Sequence, residues 1–138
     1  MANIENSRIV LGYGDSGAGE PVVLLHSTGF DGGQWRGSGQ VLAREFRVLV
    51  PDLPGYGDSR IRDGSMGLEQ DRQAVSLLLQ SCGRAAHLVG HSYGGLVALR
   101  LALETPARLA SLTLIEPMSR GVLQGSDAAA ARAEAGAG

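Results

Sequence analysis

The chain has 138 residues, 43% of them apolar, a formal net charge of −2 and one cysteine, Cys82. That length and apolar content suit one folded domain with a buried core, and they exclude a disordered or fibrous chain. The near-balanced charge offers no footprint for nucleic acid, and a lone cysteine excludes an internal disulfide or a cysteine metal cluster. Every basic side chain is Arg, so lysine Schiff-base chemistry is excluded as well. The opening MANIENSRIV lacks a basic-then-apolar leader pattern, and no apolar run is long enough to span a bilayer. The expectation is a cytoplasmic protein without membrane contact, with the 21 glycines reflecting compositional bias more than function.

In chain order, RIVL (8–11) reads as a short strand and GYGDSGAGEP (12–21) as turn chemistry. Residues 22–25, VVLL, form an unbroken apolar run, as do Val48–Val50, Leu88–Val89 and, nearly, Leu112–Ile115. Runs without alternation suit strands buried on both faces, as in parallel sheets. Between them lie helical patterns. Residues 38–45 suggest a short helix. Val75, Leu78, Leu79 and Cys82 share one face of a helix over Leu68–Cys82, which Gly83 ends. Tyr93–Thr105 reads as a helix that is apolar nearly all round and stops before Pro106. Strand alternating with helix specifies an α/β sheet with right-handed crossovers. From Gly121 the chain turns to small residues, GVLQGSDAAAARAEAGAG, where Asp127 is a candidate cap for a short alanine-rich helix. The expected division is a core over 1–120 and a tail over 121–138.

The sharpest pattern is Gly90-His91-Ser92-Tyr93-Gly94, with a strand before it and a helix after it. A serine at such a strand-to-helix turn is held on a sharp bend, and the flanking glycines permit close packing. The bend lifts the hydroxyl above the strand ends, at a helix N-terminus that favours developing negative charge. The N–H of Tyr93 then faces the position of an oxyanion. Ser92 is the candidate nucleophile.

Three further stretches join this one: VVLLHSTGFDGGQW (22–35), FRVLVPDLPGYGDS (46–59) and RLASLTLIEP (108–117). Together the four motifs resemble the N-terminal part of an α/β-hydrolase of the serine-hydrolase family, over about residues 8–120. The resemblance implies a partial α/β-hydrolase sheet, mostly parallel and flanked by helices, without the C-terminal strands and cap. It implies an oxyanion loop after the 22–25 strand. Ser27 stands there where the family commonly has Gly, so the second oxyanion donor is the N–H of Thr28 or of Ser27, with Thr28 favoured. His26, Phe30 and Trp35 are candidate pocket residues, and Asp52 is read as holding its loop together.

A serine hydroxyl needs a base, and in this family the order is Ser, then acid, then His. All three histidines, His26, His87 and His91, precede Ser92. Each reads first as structural: His87 as core or half-buried in its strand, His91 as pointing away, and His26, ending a strand beside the nucleophile strand, with a further, lesser reading as a stand-in base. Glu116, at the end of the strand after the nucleophile helix, is a candidate acid. Family members are about twice this length, so the expectation is a chain without its triad histidine, with 121–138 as the start of a cap.

The function implied is hydrolysis of a carboxylic ester or related acyl bond in a small-molecule acyl substrate, with no cofactor and no metal. The alternative is a non-catalytic homologue acting as a binding or interaction module, its edge strand 111–116 open to self-association. Nucleotide binding is excluded by spacing, since no phosphate-loop pattern is present.

Overall fold

The computed structural model describes residues 1–118. The expected tail and its Asp127 cap lie outside the described residues. Seven strands form one mixed sheet: β1 (Ala2–Glu5), β2 (Ile9–Ser16), β3 (Pro21–Leu25), β4 (Arg47–Pro51), β5 (Arg60–Ile61), β6 (Ala86–His91) and β7 (Leu109–Ile115). Their order is β1-β2-β4-β3-β6-β7, with the short β5 pairing β2. Strands β4, β3, β6 and β7 run parallel, while β1, β2 and β5 add antiparallel pairings. The chain is therefore an α/β fold. Three helices, α1 (Arg36–Leu42), α2 (Leu68–Ser81) and α3 (Tyr93–Glu104), fill the crossovers.

The apolar run of β3 explains its central place. Val23 and Leu25 point to a core shared with Val75, Leu78 and Leu79 of α2 and with Val97, Ala98 and Leu101 of α3. Val22 and Leu24 point the other way, to a smaller cluster with Trp35 and Val48, against which Leu42 of α1 packs. A strand covered on both faces cannot alternate in polarity. The spacing of α2 behaves as read: Val75, Leu78 and Leu79 are buried, and Cys82 packs against the same core.

Three boundaries differ from the sequence reading. The stretch read as a turn after Leu11 continues β2 to Ser16, because Tyr13–Ser16 pair with Pro51–Val48 of β4. Helix α1 begins and ends earlier than 38–45, after a 3-10 turn over Gly32–Trp35 whose N-cap is Asp31. Pro106 opens a further 3-10 turn, Pro106–Arg108, leading into β7. No helix among the described residues is long and apolar enough to cross a membrane.

Candidate active site

Strand β6 ends at His91, and α3 starts at Tyr93. Ser92 between them has φ 53° and ψ −113°, left-handed backbone that a residue with a Cβ rarely adopts. Such a conformation persists only where its surroundings over-determine it, and here they do. The Ser92 N–H donates to Ile115 O at 3.0 Å, and Ser92 O accepts from Met118 N–H at 3.1 Å and Leu96 N–H at 3.1 Å. The end of β7 thus clamps the turn from outside.

The glycines on either side are dictated by contact distance. A Cβ at Gly90 would lie 2.3 Å from Gly94 O, and one at Gly94 would lie 2.5 Å from Leu25 O and 2.6 Å from His26 O. Strand β6, the first turn of α3 and the end of β3 approach too closely for any larger residue. The Ser92 hydroxyl has no hydrogen-bond partner among the described residues. The first N–H groups of a helix lack partners within it, and that of Tyr93 is unpaired among the described residues.

The loop after β3 supplies the facing wall. Ser27 N–H donates to Gln34 Oε1 at 2.9 Å, which leaves the N–H of Thr28 as the one in this pair without a partner among the described residues. Gly29 N–H donates to the Tyr56 hydroxyl at 3.1 Å. Asp52 Oδ1 accepts Gly32 N–H at 2.6 Å, tying the end of β4 to this loop.

His26 is fully buried. Its Nε2 accepts Leu53 N–H at 2.9 Å, and its Nδ1 lies 2.9 Å from Ser27 O. Leu53 N–H can only donate and Ser27 O can only accept, so the proton is on Nδ1 and both nitrogens are occupied. Burial, the largest influence, holds the imidazole below its ordinary pKa, against the raising effects of the Ser27 carbonyl, Asp52 and Asp31. His26, weighed above as structural, as a stand-in base and as a pocket residue, is here a buried strut with no nitrogen free for the latter two roles. Trp35 is corrected in the same way. It is buried beneath α1, its indole N–H unpaired in the core, because its bulk fills the cluster around Val22, Leu24 and Val48. Phe30 is 58% exposed on the loop.

His87 lies four residues before His91 on β6, about 13 Å away along the strand. Its Nδ1 is 2.7 Å from Ser111 Oγ and its Nε2 is 2.7 Å from Glu20 Oε2. That contact holds the Glu20 carboxyl below its ordinary pKa. His91 Nδ1 is 2.7 Å from Gln34 Nε2, so this ring engages the facing loop. Glu116 follows β7, exposed and with φ 45°. Its neighbours Ile115 and Met118 make the two outer contacts to the Ser92 backbone.

Three side chains escaped the sequence reading. Gln34 and Tyr56 gave no signal in their glycine-rich loops. Asp71, in the first turn of α2, reads as ordinary helix-terminus charge. It is in fact buried and accepts a hydrogen bond from the Tyr93 hydroxyl. Burial pushes the Asp71 carboxyl up to about 6, against the lowering effect of the phenol. Burial and then the Asp71 contact push the Tyr93 phenol upward.

The alpha/beta hydrolase family model matches residues 22–138. The pimeloyl-[acyl-carrier protein] methyl ester esterase of Aeromonas salmonicida (strain A449) is 44% identical over 101 residues, 72% of this chain and 38% of that protein. A 2-hydroxy-6-oxo-6-phenylhexa-2,4-dienoate hydrolase of Burkholderia cepacia is 39% identical over 125 residues, 86% of this chain and 43% of that one. A thermophilic esterase from Thermogutta terrifontis superposes with a TM-score of 0.79 at 32% identity, over 87% of this chain and 47% of its own. The chain spans about two fifths of the length of these curated relatives. On this match and this fold, the chain belongs to the alpha/beta hydrolase family.

Proposed function

We propose that this chain carries the nucleophile and oxyanion half of a serine hydrolase that opens carboxylic esters or a related acyl bond. One observation carries the reading. Ser92 is held at φ 53° on the bend between β6 and α3, with its hydroxyl unengaged among the described residues. The esterase and hydrolase names of the relatives support it.

In this reading the Ser92 oxygen adds to the acyl carbon, and the carbonyl electron pair moves onto oxygen. The N–H groups of Tyr93 and Thr28 hold that oxyanion. Collapse expels the alcohol and leaves an acyl-serine, which water then hydrolyses. The proton on Ser92 needs an acceptor. His26 has both nitrogens committed, and His87 and His91 bond to other partners. The base is therefore assigned to a segment outside this sequence, with Glu116 as a candidate acid to orient it.

The same lack of a base favours a second reading, a non-catalytic interaction module. A fluorophosphonate probe separates the two. Slow stoichiometric labelling at Ser92, absent in Ser92→Ala, supports the hydrolase half. Sustained ester turnover is not expected, because loss of the triad histidine costs about 10⁶ in turnover in subtilisin. Labelling that persists unchanged in Ser92→Ala, or steady ester turnover by this chain alone, overturns the reading of a nucleophile half without its base.

A further inference from the structure

We propose that Gln34 is a positioning residue whose single amide fixes the two arms of the oxyanion pocket relative to one another. The inference rests on the hydrolase reading above for its purpose, but not for its geometry.

Gln34 stands in the 3-10 turn before α1, 57 positions from His91 in sequence. Its Oε1 lies 2.9 Å from Ser27 N and 3.3 Å from Ser27 Oγ, while its Nε2 lies 2.7 Å from His91 Nδ1. The orientation of this amide follows from chemistry. A backbone N–H only donates, so the atom facing Ser27 N must be the carbonyl oxygen. The amide NH2 then faces His91 and donates. His91 Nδ1 must accept, so the His91 proton is on Nε2.

Ser27 is the residue before Thr28, and His91 stands two residues before Tyr93. The amide therefore links the backbone N–H one residue before one proposed oxyanion donor to the imidazole two residues before the other. Its own support is rigid. Trp35, next in the chain, is buried in the core. Asp31 accepts Gly33 N–H at 2.8 Å, and Asp52 accepts Gly32 N–H at 2.6 Å. A donor pair acts on a developing oxyanion only if its spacing is set before the charge forms.

The test uses the full chain, labelled with 15N and studied by NMR at pH 8. The wild type is expected to show the Nε2–H tautomer at His91 and a protected Ser27 amide. Gln34→Leu removes donor and acceptor together, so Ser27 exchange rises about tenfold. Gln34→Glu keeps the acceptor for Ser27 and removes the donor to His91. Ser27 protection survives in that variant, and the His91 proton moves to Nδ1, facing the carboxylate. This second variant answers the question even if the leucine variant misfolds.

Fluorophosphonate labelling at Ser92 is expected to slow about tenfold in Gln34→Leu. A wild-type His91 protonated on Nδ1 overturns the proposal. So does a Ser27 amide that exchanges equally fast in wild type and leucine variant, or labelling at wild-type rate in both variants. If the wild type forms no adduct, tautomer and exchange decide the Gln34 link by themselves; if labelling persists in Ser92→Ala, the hydrolase reading fails and the same two readouts still decide the link.

Discussion

At the residue scale, Gly94 shows how contact outweighs propensity. Ala in a helix is worth about 1 kcal/mol over Gly, which favours Gly94→Ala in the first turn of α3. The added Cβ, however, would meet two backbone carbonyls, Leu25 O at 2.5 Å and His26 O at 2.6 Å, and neither belongs to a movable side chain. Gly94→Ala is expected to lose about 3 kcal/mol net, measured as a drop in the denaturant midpoint; unchanged stability would show that the elbow and the β3 end are not in contact. The Gly-x-Ser-x-Gly pattern was legible because each glycine answers a local steric demand. Gln34 and Tyr56 were not, because their partners, His91 and Ser27 in one case and Gly29 in the other, are brought near only by the sheet. His26 and Trp35 were misplaced for a related reason: sequence shows that a residue follows a strand or lies in a loop, not which way its side chain turns.

At the element scale, the buried Asp71–Tyr93 contact joins the start of α2 to the start of α3. A carboxyl whose folded pKa lies near 6, above its unfolded value, binds more protons folded than unfolded. Stability from that proton is full below the unfolded pKa, near 4, and is lost as pH rises through about 6. Asp71→Asn keeps an acceptor for the phenol and carries no charge. It is expected to exceed the wild type by on the order of 2 kcal/mol at pH 8, with the gap closing below pH 4 in thermal melts. A constant gap across that range would remove burial of charge as the cause. The longer elements were legible because their apolar spacing matched their period. β1 and β5 were not, since short edge strands bury too little to leave a pattern. The Gly-Tyr-Gly-Asp stretch of β2 looked like a turn until pairing with β4 on one side and β1 on the other overrode its composition.

At the scale of the whole molecule, the alternation of strands and helices made the α/β class readable, while the engagement of both ring nitrogens of His26 and His87 was not, because the sheet brings their partners together. The outer edge of β7 has no partner strand among the described residues, and the strand is half-buried at best, with Ile115 41% exposed. We propose that copies of the chain associate along this edge. Sedimentation is expected to show mass rising with concentration, and a charge on the exposed face, Thr113→Lys, is expected to reduce it; one monomeric species at every concentration would refute the proposal. That border strand and the residues after it also hold the Ser92 turn, since Ile115 O accepts the Ser92 N–H and Met118 N–H donates to Ser92 O. A displacement at this border would therefore reach the backbone of Ser92 through two hydrogen bonds, with no side chain between them.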